Sequence, residues 1–178
     1  MRASVFVATS LDGYIARQNG ELDWLPADGE LSDGEDHGYW AFMATVDTLV
    51  IGRHTFEKVL TFERWPYGEK PVVVLTSKPT GLPPPPAASV EYMTGTPHEI
   101  VARLSERGAQ HLYVDGGITI QRFLDAGLIQ RLTINRIPII LGSGIPLFGP
   151  VGRDIRLRHV STRQYPSGFV QSEYLVVE

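Results

Sequence analysis

The chain has no cysteine among its 178 residues. Disulfides, thiolate nucleophiles and cysteine-ligated zinc are thereby excluded, and the composition suits a reducing compartment. An excess of positive charge is also missing: 16 Lys and Arg stand against 20 Asp and Glu, for a net charge of −4. With no basic stripe to neutralise a phosphate backbone, no nucleic-acid partner is expected. The apolar run near the N-terminus, Val5 to Ala8, is too short for a signal-peptide core or a spanning helix. A cytoplasmic protein with no membrane partner is the expectation. His37, His98, His111 and His159 lack metal-type spacing, and no HExxH pair, P-loop or GxSxG elbow occurs. No metal site is expected.

What is present is ordinary globular usage, 43% hydrophobic and 20% charged. The length suits one domain, residues 1–178, at the usual scale of roughly 100–200 residues. Along the chain, Ala3–Thr9 reads as a buried strand. A long loop rich in Gly and Asp follows from Ser10 to about Gly34, and loops of that length tend to be functional. Asp36–Thr45 has helical spacing, and Asp47–Ile51 is a second strand. Gly52 then leads into a helix from Arg53 to Leu60. Lys70–Thr76 is a third strand, and Gly81–Ala88, with its four prolines, a stiff connector. Ser89–Met93 is a short strand. Thr96, Pro97 and Glu99 form a capping-box start for a helix that ends at Gly108. His111–Val114 is a strand, Asp115-Gly116-Gly117 opens a helix ending near Gly127, and Leu128–Ile137 is the next strand. Arg153–Arg163 and Phe169–Val177 flank a Pro/Gly turn and suggest a hairpin. The pattern predicts an α/β fold with a mostly parallel sheet, finished by antiparallel strands.

Ligands of open α/β sheets bind beyond the carboxyl ends of strands. Three such ends carry anion-binding features. Gly52-Arg53-His54-Thr55 joins a glycine, two cationic-type donors and a hydroxyl at a helix start. Asp115-Gly116-Gly117-Ile118-Thr119 allows close approach of a pyrophosphate. Thr76-Ser77-Lys78 places hydroxyls and an ammonium where a phosphate monoester would sit. Each has a plainer reading as a turn or a solvated strand end.

The runs VIGRHTFE, VVVLTSKP and YVDGGITIQRFL, in that order, resemble dihydrofolate reductase. The opening SLDGYIA and the segment LTINRIPIILGSGIPLF resemble the reductase domain of the bifunctional riboflavin-biosynthesis deaminase-reductase and its stand-alone relatives. The resemblance implies a dihydrofolate reductase-like three-layer fold with a mixed sheet of about eight strands, an NADPH cofactor and hydride transfer to a small pyrimidine- or pterin-like substrate. By motif position, Arg53, His54 and Thr55 would hold cofactor phosphates, with Gly52 opening their turn. Thr76, Ser77 and Lys78 would reach the 2′-phosphate, and Gly116, Gly117, Ile118 and Thr119 would line the pyrophosphate. Ala8 and Ile15 would face the nicotinamide through their backbones, and the segment from Gly13 to Trp24 would be a lid. Relatives of this branch pair through C-terminal strands, which implies a homodimer.

For the proton that accompanies the hydride, counting back from Gly52 points to Asp36 among Asp33, Glu35 and Asp36. Its alternative reading is a favourable charge at a helix start. Asp12 is placed to bind a polar substrate ring or to anchor the loop. Trp24, Tyr39 and Trp40 offer stacking surface for a flat substrate, with core packing the plainer reading for Trp24 and Tyr39. The cation expected after this helix in a folate reductase has no counterpart in ATVDTL. A chain without cysteine also lacks the deaminase half. The alternatives left open are a non-catalytic nucleotide-binding protein on the same fold and a true dihydrofolate reductase.

Overall fold

Strand-forming segments rich in Val, Ile and Leu recur between helices, and they assemble by parallel pairing. The computed structural model describes residues 1–26, 35–78, 83–85 and 88–177. Its strands are β1 (Arg2–Thr9), β2 (Tyr14–Ala16), β3 (Thr48–Gly52), β4 (Val72–Leu75), β5 (Val90–Met93), β6 (His111–Asp115), β7 (Arg131–Arg136), β8 (Ile145–Pro146), β9 (Arg156–Gln164) and β10 (Val170–Val177). Its helices are α1 (Tyr39–Thr45), α2 (Arg53–Val59), α3 (Pro97–Glu106) and α4 (Gly117–Asp125). Eight strands form one sheet in the order β5-β4-β3-β6-β1-β7-β10-β9. Pairing is parallel from β5 to β7, while β10 runs antiparallel to both β7 and β9. The mixed, mostly parallel sheet with an antiparallel C-terminal hairpin agrees with the sequence reading.

Alternation along the strands sorts the core into two faces. Val5, Val50, Val73, Leu112 and Val114 turn toward Ile100 and Leu104 of α3 and Ile120, Phe123 and Leu124 of α4. Their neighbours Leu49, Ile51, Val72, Val74 and Tyr113 turn the other way, onto Met43 of α1 and Phe56 and Val59 of α2. Both faces of the central strands are therefore dry, which explains their near-continuous apolar sequences. The hairpin differs: every residue of β9 is exposed.

Several boundaries shift for local reasons. The capping box at Thr96 forms as read, with Thr96 Oγ1 accepting from the Glu99 N–H and Glu99 accepting from the Thr96 N–H. The first helix starts at Tyr39 rather than Asp36, because His37 and Gly38 both take positive φ, 52° and 79°. The loop after β1 contains β2, which pairs with β8 and ties Tyr14–Ala16 to Ile145–Pro146. Part of that loop, residues 27–34 with Asp33, and half of the proline-rich connector, residues 81, 82, 86 and 87, lie outside the described residues. Among the described residues, no helix is long and apolar enough to cross a membrane.

Candidate functional site

β3 and β6 are parallel neighbours, with Ile51 opposite Asp115. The turns that follow them, at Gly52 and at Gly116-Gly117, therefore lie side by side at the carboxyl edge of the sheet. They interlock. A Cβ on Gly116, whose φ is +93°, would stand 2.3 Å from Thr55 Oγ1, and a Cβ on Gly52 would stand 2.9 Å from Thr119 Oγ1. Each turn is glycine where the other turn sends a threonine hydroxyl. A Cβ on Gly117 would stand 3.0 Å from Ile15 Cδ1, so Ile15 joins the same cluster. Gly52, Thr55, Gly116, Gly117, Thr119 and Ile15, named separately along the sequence, are thus brought together.

Gly52 and Gly116 are the N-caps of α2 and α4, and neither helix has a side-chain cap. The leading N–H groups of these helices remain open to an external acceptor, and they carry the positive end of the helix dipole. Arg53 and His54 stand beside them, with Arg53 Nε and His54 Nδ1 each 3.5 Å from the carboxylate of Glu57. At the end of β4, Thr76 Oγ1 accepts from the Lys78 N–H at 3.0 Å, and Ser77 and Lys78 are exposed. Ile118 is exposed as well. On the other side of the edge, Ala8 pairs with Asn135 of β7. Close glycine backbone, uncapped helix starts and cations in one row fit the pyrophosphate and phosphate of a dinucleotide.

One residue before the Gly116-Gly117 turn stands Asp115, the last residue of β6. It is half-buried. One of its oxygens, Oδ1, accepts from the Gly116 N–H at 2.7 Å. Burial raises its pKa from the ordinary carboxylate range to about 6, since desolvation penalises the charged form. Burial lifts the Tyr39, Tyr67 and Tyr113 phenols well above their usual range, and the negative charge of Asp115 adds to it. The Tyr113 hydroxyl donates to the Phe6 carbonyl at 2.8 Å. The sequence reading used the Asp115-Gly116-Gly117 turn only for its glycines and missed this carboxyl. The available signal was an acid at a strand end immediately before a ligand-binding turn.

On the substrate side the structure shows which contacts three of the named residues make. Asp36 makes those of its alternative reading, at the helix start. Its Oδ1 accepts from the Gly38 N–H at 2.9 Å and its Oδ2 from the Trp40 N–H at 2.8 Å. The Trp40 N–H, foremost among these contacts, holds the carboxyl below its ordinary pKa, so it stays ionised near neutrality and serves as a cap for α1. Trp24 follows its core-packing reading: its ring is buried with Ile137, Tyr165 and Phe169. Asp12 takes the anchoring role. Its carboxylate accepts from Ser10 Oγ at 2.7 Å and from the N–H groups of Leu141 and Gly142 at 3.1 and 2.7 Å. Tyr39 remains at the site, packed edge-on against Phe6. Trp40 meets Tyr39 edge-on and is 63% exposed. The segment proposed as a lid is tied down by Arg17 to Asp23 at 2.5 Å and by Glu21 to Lys58 of α2 at 2.8 Å.

Comparison with known proteins places these features in context. The model of the RibD C-terminal domain matches residues 4–171. An uncharacterized protein of Bacillus subtilis (strain 168), YwjB, is 34% identical over 174 residues, covering 96% of this chain and 95% of that protein. A crystal structure from Shewanella sp. PV-4, of a protein assigned provisionally to riboflavin biosynthesis, superposes with a TM-score of 0.90 at 40% identity, with both chains fully covered. Dihydrofolate reductase from Enterococcus faecalis shares the fold, with a TM-score of 0.68 at 19% identity over 99% of this chain and 97% of that one.

Proposed function

The chain belongs to the RibD C-terminal domain family, and on that premise we propose that it is an NADPH-dependent reductase of a small planar heterocycle. When bound, the cofactor supplies a hydride. The residues of this chain would bind, orient and protonate. The interlocked turns at Gly52 and Gly116-Gly117, with Arg53, His54, Thr55 and Thr119, would hold the phosphates. Ser77 and Lys78, at the end of the neighbouring strand, would meet a 2′-phosphate. Ala8 and Ile15 would flank the nicotinamide end, and the segment from Gly13 to Trp24 would keep water out. The Enterococcus faecalis reductase of the same fold, which is complexed with NADP(H), supports the choice of nucleotide.

Asp115 is the observation that carries the reading. Reduction of a C=N or C=O bond needs a proton as well as a hydride, and a general acid works best with a pKa near the operating pH. With a pKa of about 6, Asp115 keeps roughly a tenth of its molecules protonated at pH 7. An ordinary aspartate would keep roughly one in a thousand. It stands two residues before Gly117, against which Ile15 of the nicotinamide end packs.

Titration calorimetry with NADPH and NADH tests the cofactor half. NADPH is expected to bind more tightly than NADH, and Arg53→Ala is expected to cost about 1–3 kcal/mol, the scale of a charge-assisted hydrogen bond. Equal and weak binding of both nucleotides would remove the reductase reading.

A further inference from the structure

The carboxyl ends of the parallel strands carry the glycine turns, and their amino ends carry a separate cavity. Its volume is about 380 Å³, and it lies where α3 ends, with Thr48 opening β3 and Pro71 preceding β4 beside it. Four residues of β3 separate Thr48 from Gly52, so the cavity stands about 13 Å from that turn at roughly 3.3 Å per residue. Leu104, Pro71 and Ala109 give it apolar walls. The charged residues that line it are Asp47, Glu91 and Arg107. Glu91 and Arg107 neutralise each other, since the guanidinium donates to both carboxylate oxygens at 2.7 and 2.9 Å. Asp47 has no such partner. Its Oδ2 accepts from the N–H groups of Gln110 and His111 at 2.8 and 2.9 Å, while its Oδ1 is buried without a donor. Lys70, close along the chain, donates instead to the Val46 carbonyl at 2.6 Å.

Two further features of the lining act in the same direction. Thr48 is 7% exposed, and among the described residues its hydroxyl has no hydrogen-bond partner. The helix α3 closes on Arg107 and on Gly108, whose φ is 91°, so the negative end of its dipole lies at this cavity. A buried carboxylate oxygen without a donor is costly to leave as it is. An unpaired carboxylate and a helix C-terminus both favour positive charge, and a free hydroxyl accepts from an N–H. Apolar walls with a few convergent polar groups at this volume suit a small organic molecule.

We propose that this cavity is a second binding site, for a small organic cation: a guanidinium or primary ammonium on a short alkyl chain. The cationic head donates to the Thr48 hydroxyl beside the Asp47 carboxylate. The alkyl chain lies on Leu104, Pro71 and Ala109, and the Glu91–Arg107 pair frames the mouth. The site stands at the opposite end of the strands from the nucleotide turns and does not depend on the reductase reading.

The test titrates the whole chain with n-butylguanidinium and with n-butylurea, a neutral molecule of nearly the same shape, and follows backbone amide shifts by heteronuclear NMR. Wild type is expected to bind n-butylguanidinium saturably in the millimolar range, the scale of so small a ligand. The shifts should centre on Thr48, Gly108 and Ala109 and leave Gly52 and Gly116 unmoved. The urea is expected to bind at least about tenfold more weakly, because it lacks the charge. Asp47→Asn keeps an acceptor for the Gln110 and His111 N–H groups and removes the charge, and it should weaken n-butylguanidinium by about tenfold or more. Thr48→Val keeps the shape and deletes the hydroxyl, and it should cost roughly three- to tenfold, one hydrogen bond. Unmoved amide positions at Gly52 and Gly116 report that each variant is folded, and if Asp47→Asn is not, Thr48→Val decides alone. Absence of saturable binding to wild type overturns the proposal. So do shifts centred elsewhere, equal affinity for the urea, or undiminished affinity in either folded variant.

Discussion

Two carboxylates, Asp36 and Asp115, stand near the same helix and have opposite environments. Asp36 lies exposed ahead of α1 and accepts two backbone N–H bonds, so its charged form is favoured. Asp115 lies half-buried among tyrosines and accepts one, so its charged form is penalised. The difference shows that position near a helix start does not make an acid a proton donor. Desolvation without a compensating cation is what raises a carboxyl toward the range such a role needs.

The largest test removes the titrating group. Asp115→Asn keeps the shape and an acceptor for the Gly116 N–H. Turnover is expected to fall by at least about a hundredfold, the scale of lost general acid catalysis. Stability should move the other way. The folded pKa is raised, so the native state binds this proton more tightly than the unfolded chain, and wild-type stability declines as pH rises from about 4 to about 6. Asp115→Asn should therefore gain about 1–3 kcal/mol at pH 8 and little at pH 3.5 by denaturant unfolding. In wild type, kcat/KM should fall above about pH 6. A flat profile would separate Asp115 from the chemistry.

A middle-sized effect is expected at the turn that holds Asp115. Gly116→Ala meets both a positive φ and the Thr55 hydroxyl, and should cost about 2–3 kcal/mol of stability. Adding Thr55→Ala should recover the steric part alone, leaving about 1 kcal/mol for the backbone conformation. Additive losses in calorimetric unfolding would mean that the two turns do not interlock. The smallest effect belongs to Asp36→Ala, with a loss of about 1 kcal/mol for the cap and less than a tenfold change in turnover. Because the Asp36 pKa is lowered, its contribution is present above about pH 4, where the unfolded carboxyl is ionised. It fades as pH falls through the lower folded value, so the two proteins should converge in stability near pH 2.

The sequence made some of this visible and concealed the rest. The parallel strands were legible because both their faces are apolar. The capping box and the glycine turns were legible because their spacing is local. The start of α1 was not, since it depends on two consecutive positive-φ residues that periodicity cannot register. The short pair β2 and β8 joins residues 129 or more positions apart, and nothing local announces it. Trp24 read as core without its partners being legible, because Ile137, Tyr165 and Phe169 arrive from the other end of the chain. Asp115 escaped for the same reason: its environment is built by Tyr39 and Tyr67, from segments that precede it by tens of residues.

The interlocked turns also bear on how such a chain diverges. Positions 52 and 119, and 116 and 55, form two steric pairs, so a larger side chain at one member is tolerated only with a smaller one at the other. Drift at these sites has to be concerted, and among homologues the four positions should covary. Trp40, 63% exposed, has no such tie. Exposed positions can thus wander by single substitutions while the interlocked turns stay locked, and one scaffold can diversify from one side only.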